Sequence, residues 1–248
     1  MTVLEVLNFL DKLYPTNTAC EFDNVGLLVG NSGNEVTGIL VTLDCTVSAI
    51  DNAIRSGSNL IVTHHPVIFN GLKSVTENSV VYKLVRNNIN VISMHTNLDM
   101  GKGGVNDCLC KTLELKNIKM FCGSDGFTLR SATCSFANSD ELAKHIKKSL
   151  GFKVAYINIE KPIKKVLVCS GSGGDYLNDA IRCGFDALIT SDVKHNVLID
   201  AENADFPIFD CGHFATENVV IESLKQNLSK KFKTIKINSY SETKIKSI

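Results

Sequence analysis

The stretch Asn59-Leu60-Ile61-Val62-Thr63-His64-His65-Pro66 decides how this chain is read. Its first half is a short apolar run of strand length, and Pro66, with no amide hydrogen to give, takes the chain out of a sheet directly after two histidines. Two imidazoles therefore stand at the carboxyl end of a buried strand, where open α/β sheets place their ligands. Adjacent side chains on a regular strand point to opposite faces, but a chain leaving the sheet lets the two histidines address two nearby centres. Upstream, a strand-like run from Val36 to Leu43 precedes a helix predicted over about Thr46 to Arg55 and closed by Gly57. Downstream, a helix over about Asn78 to Asn87 leads to a strand at Ile89 to Ser93 and a helix over about Val105 to Leu115. Short β-branched runs alternating with helical periods predict an α/β architecture.

The remainder of the chain fits that reading. Thr2 and Glu5 have capping-box spacing, and Leu4, Leu7, Leu10 and Leu13 recur at helical intervals until Pro15. A strand is expected at Val25 to Val29. From about residue 126 a second α/β unit begins, with strands at Phe127 to Phe136, Val154 to Ile159, Lys165 to Cys169, Ala187 to Thr190 and Pro207 to Asp210. Helices are expected between them at Glu141 to Leu150, about Tyr176 to Cys183 and Val193 to Ala201. One long helix from Ala215 to about Leu228 and a strand near Thr234 to Asn238 close the chain.

Composition sets limits. The 248 residues carry 26 Lys and Arg against 26 Asp and Glu, so no summed field draws the protein to nucleic acid or an anionic membrane. No apolar run approaches the roughly 20 residues of a spanning helix, and the first residues lack a signal-peptide pattern, so a cytoplasmic protein is expected. The nine cysteines form no Cys-x-x-Cys pair and read as small buried hydrophobes of a reducing compartment.

Two further constellations repeat the histidine placement. His95-Thr-Asn-Leu-Asp99 follows the strand Ile89 to Ser93 and adds an imidazole and a carboxylate, with Asp99 as helix cap the structural alternative. Cys211-Gly-His213-Phe-Ala-Thr-Glu217 follows the strand Pro207 to Asp210, and His213 and Glu217, four apart near a helix start, can reach a common ion. His64, His65, Asp99, His213 and Glu217 together supply more ligands than the three a catalytic zinc takes from protein, which favours two ions. Glu217 is the chosen bridge, and His95 is left for proton transfer. The mixed donors suit Zn, Fe, Mn, Co or Ni.

Thr63-His-His-Pro66, His95-Thr-Asn-Leu-Asp99 and Gly212-His-Phe-Ala-Thr-Glu217 resemble the signatures of the Nif-three-like family, whose bacterial members are named GTP cyclohydrolase 1 type 2 homologues. The resemblance extends over nearly the whole chain, including Asn24-Val-Gly-Leu27 and Thr190-Ser-Asp-Val-Lys-His195. It implies two similar α/β domains with mixed sheets, 1–125 plus 212–248 and 126–211, and a dinuclear metal site in a cleft at the strand carboxyl ends. It also implies metal ligation by His64, His65, Asp99, His213 and Glu217, and a ring-shaped homohexamer built as a trimer of dimers. The chain departs from many relatives at Asn196, where they have a second histidine, and it leaves no room for the extra mid-chain domain some of them carry.

Ser170-Gly171-Ser172-Gly173-Gly174 lies between a strand and a helix, so Ser170, Gly171, Gly173 and Gly174 are candidates for an anion nest holding substrate phosphate, with a flexible turn as the plain alternative. The leading expectation is a dinuclear metal-dependent hydrolase acting on a small molecule such as a nucleotide, GTP being the one the resemblance suggests. Phosphoester or nucleotide hydrolysis at the same site is the second reading. A non-enzymatic oligomer for interaction or metal handling is the third.

Overall fold

A computed structural model describes residues 1–245, which divide into two compact units: Met1–Lys102 with Ile221–Glu242, and Gly103–Val220 with the described residues from Thr243. Unit 1 begins with α1 (Val3–Leu13), β1 (Gly26–Val29), β2 (Gly38–Thr42), α2 (Val47–Ser56), β3 (Leu60–Thr63), α3 (Val80–Arg86), β4 (Asn90–Ser93) and α4 (Thr96–Met100). Unit 2 contains α5 (Val105–Thr112), β5 (Lys116–Cys122), β6 (Thr128–Phe136), α6 (Ser139–Leu150), β7 (Ala155–Tyr156) and β8 (Ile163–Ser172). It continues through α7 (Leu177–Arg182), β9 (Ala187–Ser191), α8 (His195–Asn203), β10 (Ile208–Asp210) and α9 (His213–Glu217). The chain then returns to unit 1 with α10 (Val220–Lys231) and β11 (Lys236–Tyr240).

Unit 1 holds a sheet of order β1-β4-β3-β2-β11, parallel except for β1, which runs antiparallel to β4. Strands β2, β3 and β4 are buried at every position, the pattern of a sheet covered on both faces. Leu40, Ile61 and Val91 pack with Ala49, Ile50 and Ala53 of α2 and Leu84 of α3, while the alternate residues Ile39, Leu60, Val62 and Ile92 are equally inaccessible. α1 opens with the expected capping box: the Glu5 amide donates to Thr2 Oγ1 at 3.3 Å and the Thr2 amide to Glu5 Oε2 at 2.7 Å. β11 adds in parallel beside β2, and Phe9 of α1 meets Phe232, just past α10, edge-on.

Unit 2 is a mixed sheet of order β5-β6-β8-β9-β10-β7, with β8, β9 and β10 parallel and the other pairings antiparallel. Its two faces bury separate cores. Leu109 of α5 and Leu142 and Ile146 of α6 pack on Val166, Val168, Ile189 and Phe209, while Leu177 of α7 and Ala201 of α8 pack on Leu167, Leu188 and Ile208. The mixed α/β class with two sheets is therefore as expected.

Several boundaries differ from the sequence reading. Unit 2 starts at Gly103 and not near 126, because α5 packs on this sheet and Lys116–Cys122, unassigned from sequence, is its edge strand. The segment 212–220 likewise belongs to unit 2. The single helix expected from Ala215 to Leu228 is two helices interrupted at Asn218 and Val219. The Thr216 hydroxyl donates to the His213 carbonyl at 2.9 Å, a local side-chain bond of the kind that competes with continued helix. All nine cysteines are free thiols. Among the described residues no helix is long and apolar enough to cross a membrane.

One buried ion pair ties the start of unit 2 together. Arg130 of β6, 1% exposed, donates through Nε to Asp107 of α5, whose other oxygen accepts the Gly103 amide at 2.5 Å. Burial alone would raise the Asp107 carboxyl, but the hydrogen bond and charge of Arg130, with the Gly103 amide, leave it below the usual carboxylate range. A carboxyl lower in the folded than in the unfolded chain contributes stability above the unfolded value, about 4, and that contribution fades as pH falls through the folded value. Asp107→Asn is expected to cost about 3–5 kcal/mol at neutral pH, read as a fall in the urea midpoint, and to flatten the acid side of the stability profile.

Candidate metal centre

In unit 1 the site grows from the carboxyl ends of two neighbouring parallel strands. Past the end of β3 the amides of both His64 and His65 donate toward the β2 side, to Thr42 O at 3.2 Å and Leu43 O at 3.0 Å. Successive amides of a regular strand alternate sides, so the pleat is broken here, and the two imidazoles lie with ring centroids 4.8 Å apart. His95, at the corresponding exit of β4, brings its ring to 5.1 Å from His64 and 5.6 Å from His65. One ring nitrogen from each of the three lies within 4.8 Å of the others, a group able to hold a cation. Asp99, 6% exposed, sits inside α4, with Oδ1 3.6 Å from His64 Nε2.

Each ring is held from behind. His64 Nδ1 donates to the Met94 carbonyl at 2.9 Å, and since a carbonyl only accepts, the ring's lone pair is on Nε2. His65 Nδ1 pairs with Asp44 Oδ1 at 2.7 Å and His95 Nδ1 with Asp23 Oδ1 at 2.9 Å. The second oxygen of Asp23 accepts the Thr96 amide at 3.0 Å and its hydroxyl at 2.5 Å. Burial pushes the Asp23 carboxyl up, but the hydrogen bonds from His95 and Thr96 outweigh it and hold the group well below the carboxylate range.

Unit 2 repeats the device. Gly212, with φ +78°, caps α9, and a Cβ there would fall 2.3 Å from the Phe152 ring, so the turn that presents His213 accepts no side chain. His213 Nδ1 pairs with Asp192 Oδ2 at 2.6 Å, and Nε2 lies 2.9 Å from Oε2 of Glu217, which is 3% exposed. Its pKa is raised to about 9, first by the hydrogen bond to Glu217, then against the opposing effect of burial by the charges of Glu217 and Asp192. A cation taking Nε2 must displace that proton. Metal uptake by these residues is therefore expected to release a proton below about pH 9 and to tighten as pH rises toward that value, which calorimetry in buffers of different ionisation enthalpy reads directly.

The glycine loop does something other than expected. Ser170, Gly171 and Ser172 belong to β8, and the amides of Ser170, Gly171 and Gly173 donate to Asn106 Oδ1 at 2.7 Å, Thr216 Oγ1 at 3.2 Å and Thr190 Oγ1 at 2.8 Å. Amides turned onto protein acceptors are not the open array that a phosphate nest requires. Gly174 begins a single 3-10 turn before the six-residue α7. Gly171, with φ +63°, instead makes room for the carboxylate: a Cβ on it would lie 2.3 Å from Glu217 Oε1. His195 and Asn196 are exposed at the start of α8.

Unit 1 thus brings His64, His65, His95 and Asp99 together, and unit 2 brings together His213, Glu217 and Gly171. Sequence reasoning missed Asp23, Asp44 and Asp192, the carboxylates behind three of the imidazoles. Asp44 and Asp192 do carry a signal, since each stands just past the carboxyl end of a strand, β2 or β9. An imidazole whose second nitrogen is bonded to a carboxylate or carbonyl is the usual arrangement of a metal-ligating histidine, so the residues present fit a divalent cation.

Known proteins are similar to this chain in sequence and fold. The chain is 34% identical over 247 residues to a GTP cyclohydrolase 1 type 2 homolog of Clostridium perfringens, covering 93% of this chain and 92% of the relative. It is 32% identical over 241 residues to one of Clostridium acetobutylicum, covering 91% and 89%. The crystal structure of a Staphylococcus aureus hypothetical protein superposes with a TM-score of 0.93 at 29% identity, covering 100% of this chain and 99% of the other. With the model of Duf34/NIF3 (NGG1p interacting factor 3) matching residues 1–245, the chain belongs to the Duf34/NIF3 family.

Proposed function

We propose that this protein is a metal-dependent hydrolase in which His64, His65, Asp99, His213 and Glu217 hold two divalent cations. The observation that carries this reading is the backing of four imidazoles, through Nδ1, by Met94 O, Asp44, Asp23 and Asp192, which turns each Nε2 away from its backing oxygen. Glu217, with two carboxylate oxygens, is the ligand assigned to both ions. Two such ions, when bound, supply an activated water and charge neutralisation for the bond under attack.

The remaining chemistry belongs to this chain's own side chains. His95, oriented through Nδ1 by the ionised Asp23, presents Nε2 for proton transfer. The substrate class assigned is a small molecule with a hydrolysable cyclic or formyl amide, and the names of the curated relatives make GTP the first compound to try. The commitment of the Ser170, Gly171 and Gly173 amides weighs against a phosphate-holding loop and so against the phosphoester alternative.

The test is a metal-reconstituted screen of nucleotides, esters and cyclic amides with metal content measured in parallel. Formate release from GTP identifies ring opening, and free phosphate identifies phosphohydrolysis. Two bound ions with no turnover of any class would instead favour a metal-handling or interaction module. Native mass of the same samples reads the six-chain ring that the family resemblance implies.

A further inference from the structure

We propose that unit 1 carries a metal position of its own, formed by the imidazoles of His64, His65 and His95, which takes one borderline cation such as Zn2+ or Co2+ with no ligand from unit 2. The inference shares with the proposed function only the premise that His64 and His65 bind metal. It adds His95 as a ligand in the one-ion state.

Three observations carry it. The three rings form a compact triangle, with centroid separations of 4.8, 5.1 and 5.6 Å, and a ring nitrogen from each lies within 4.8 Å of the others. Three nitrogens each about 2.0–2.1 Å from a tetrahedral zinc are about 3.4 Å apart, so closing on an ion asks for side-chain shifts on the order of 1 Å. All three rings are turned the same way: Nδ1 faces an oxygen acceptor in each case, and the acceptors are three different groups, Met94 O, Asp44 and Asp23. The third observation is that the least obvious member is held by a second layer, since Asp23 behind His95 is itself fixed by the amide and hydroxyl of Thr96.

The donor set defines the ligand. Three imidazole nitrogens match the ligand count of catalytic zinc sites and suit Zn2+, Co2+ and Ni2+, whereas Mg2+, Ca2+ and Mn2+ prefer oxygen. Asp44 and Asp23 place negative charge behind two of the rings, which strengthens their donation to a cation.

The experiment uses the full chain carrying His213→Gln and Glu217→Gln, which removes the contribution of unit 2. After chelator treatment it is titrated with Co2+ alone. The expected result is one Co2+ per chain with the intense visible absorption of a four-coordinate ion, undiminished by excess Mg2+. Adding His95→Gln should weaken that binding at least about tenfold. No Co2+ bound by the double variant, or equal affinity with and without His95, overturns the inference. Should a variant fail to fold, nitrogen-detected histidine NMR of the wild type at half an equivalent of Zn2+ decides. Perturbed Nε2 resonances for His64, His65 and His95 support the site, and an unperturbed His95 refutes it. Failure of the dinuclear hydrolase reading would show instead as a wild type holding fewer than two ions, which leaves these outcomes unaffected.

Discussion

If the proposed two-ion hydrolase is right, glutamine at position 217 is expected to reduce the bound metal from two ions per chain to one and to lower hydrolysis roughly 100- to 1,000-fold. The side chain is 3% exposed, so an isosteric replacement preserves packing while removing the charge. Glutamine keeps one carbonyl oxygen but cannot offer two anionic oxygens to two cations. The same substitution removes the main cause of the raised His213 pKa, and His213 should then titrate clearly below about 9 in the metal-free variant. Metal analysis, turnover and histidine NMR on one preparation separate these effects. Unchanged metal content with unchanged turnover would remove Glu217 from the site.

Alanine at position 171 is the second large expectation, and it acts without replacing a ligand. The residue has φ +63°, costly for any side chain, and the new methyl would be placed 2.3 Å from Glu217 Oε1. The backbone cost alone is about 1–3 kcal/mol. The collision adds to it or is relieved by moving the carboxylate away from its place beside His213. Gly171→Ala is therefore expected to lower Tm by several degrees and to lose metal affinity together with activity. Gly173→Ala is the informative partner, because its Cβ would meet Cys169 and Thr190 at 2.6 Å and not Glu217. It should lower Tm as well, with a smaller loss of metal affinity.

The parts of the molecule legible in the sequence are those written in local patterns. The capping box at Thr2 and Glu5 places α1, and the apolar runs at residues 38–42, 60–63 and 90–93 are strands because both faces of their sheet are buried. β5 is illegible for the opposite reason. As an edge strand largely exposed on both faces, with Lys116 and Lys119 and a positive φ at Asn117, it shows no alternation. With β5 unassigned and α5 counted with the first sheet, the expected unit boundary fell at 126 and not at 103. α4, five residues long, is too short to show a helical period.

The chemistry divides in the same way. Histidines at strand exits are visible as adjacent letters. The carboxylates that orient them are joined through space: Asp44 and Asp192 each act 21 residues away along the chain, and Asp23 acts 72 residues away. The glycines at 171 and 173 read as a loop that could hold an anion. Folding instead turns their amides onto threonine hydroxyls and gives the space at Gly171 to Glu217.

X-ray absorption of protein loaded with two equivalents of Zn2+ or Co2+ tests the central claim most directly. A metal–metal vector at about 3.5–4 Å, with mixed imidazole and carboxylate ligation that is lost in Glu217→Gln, is the predicted result. Two ions bound with no metal neighbour within that range, or a spectrum indifferent to residue 217, would contradict it.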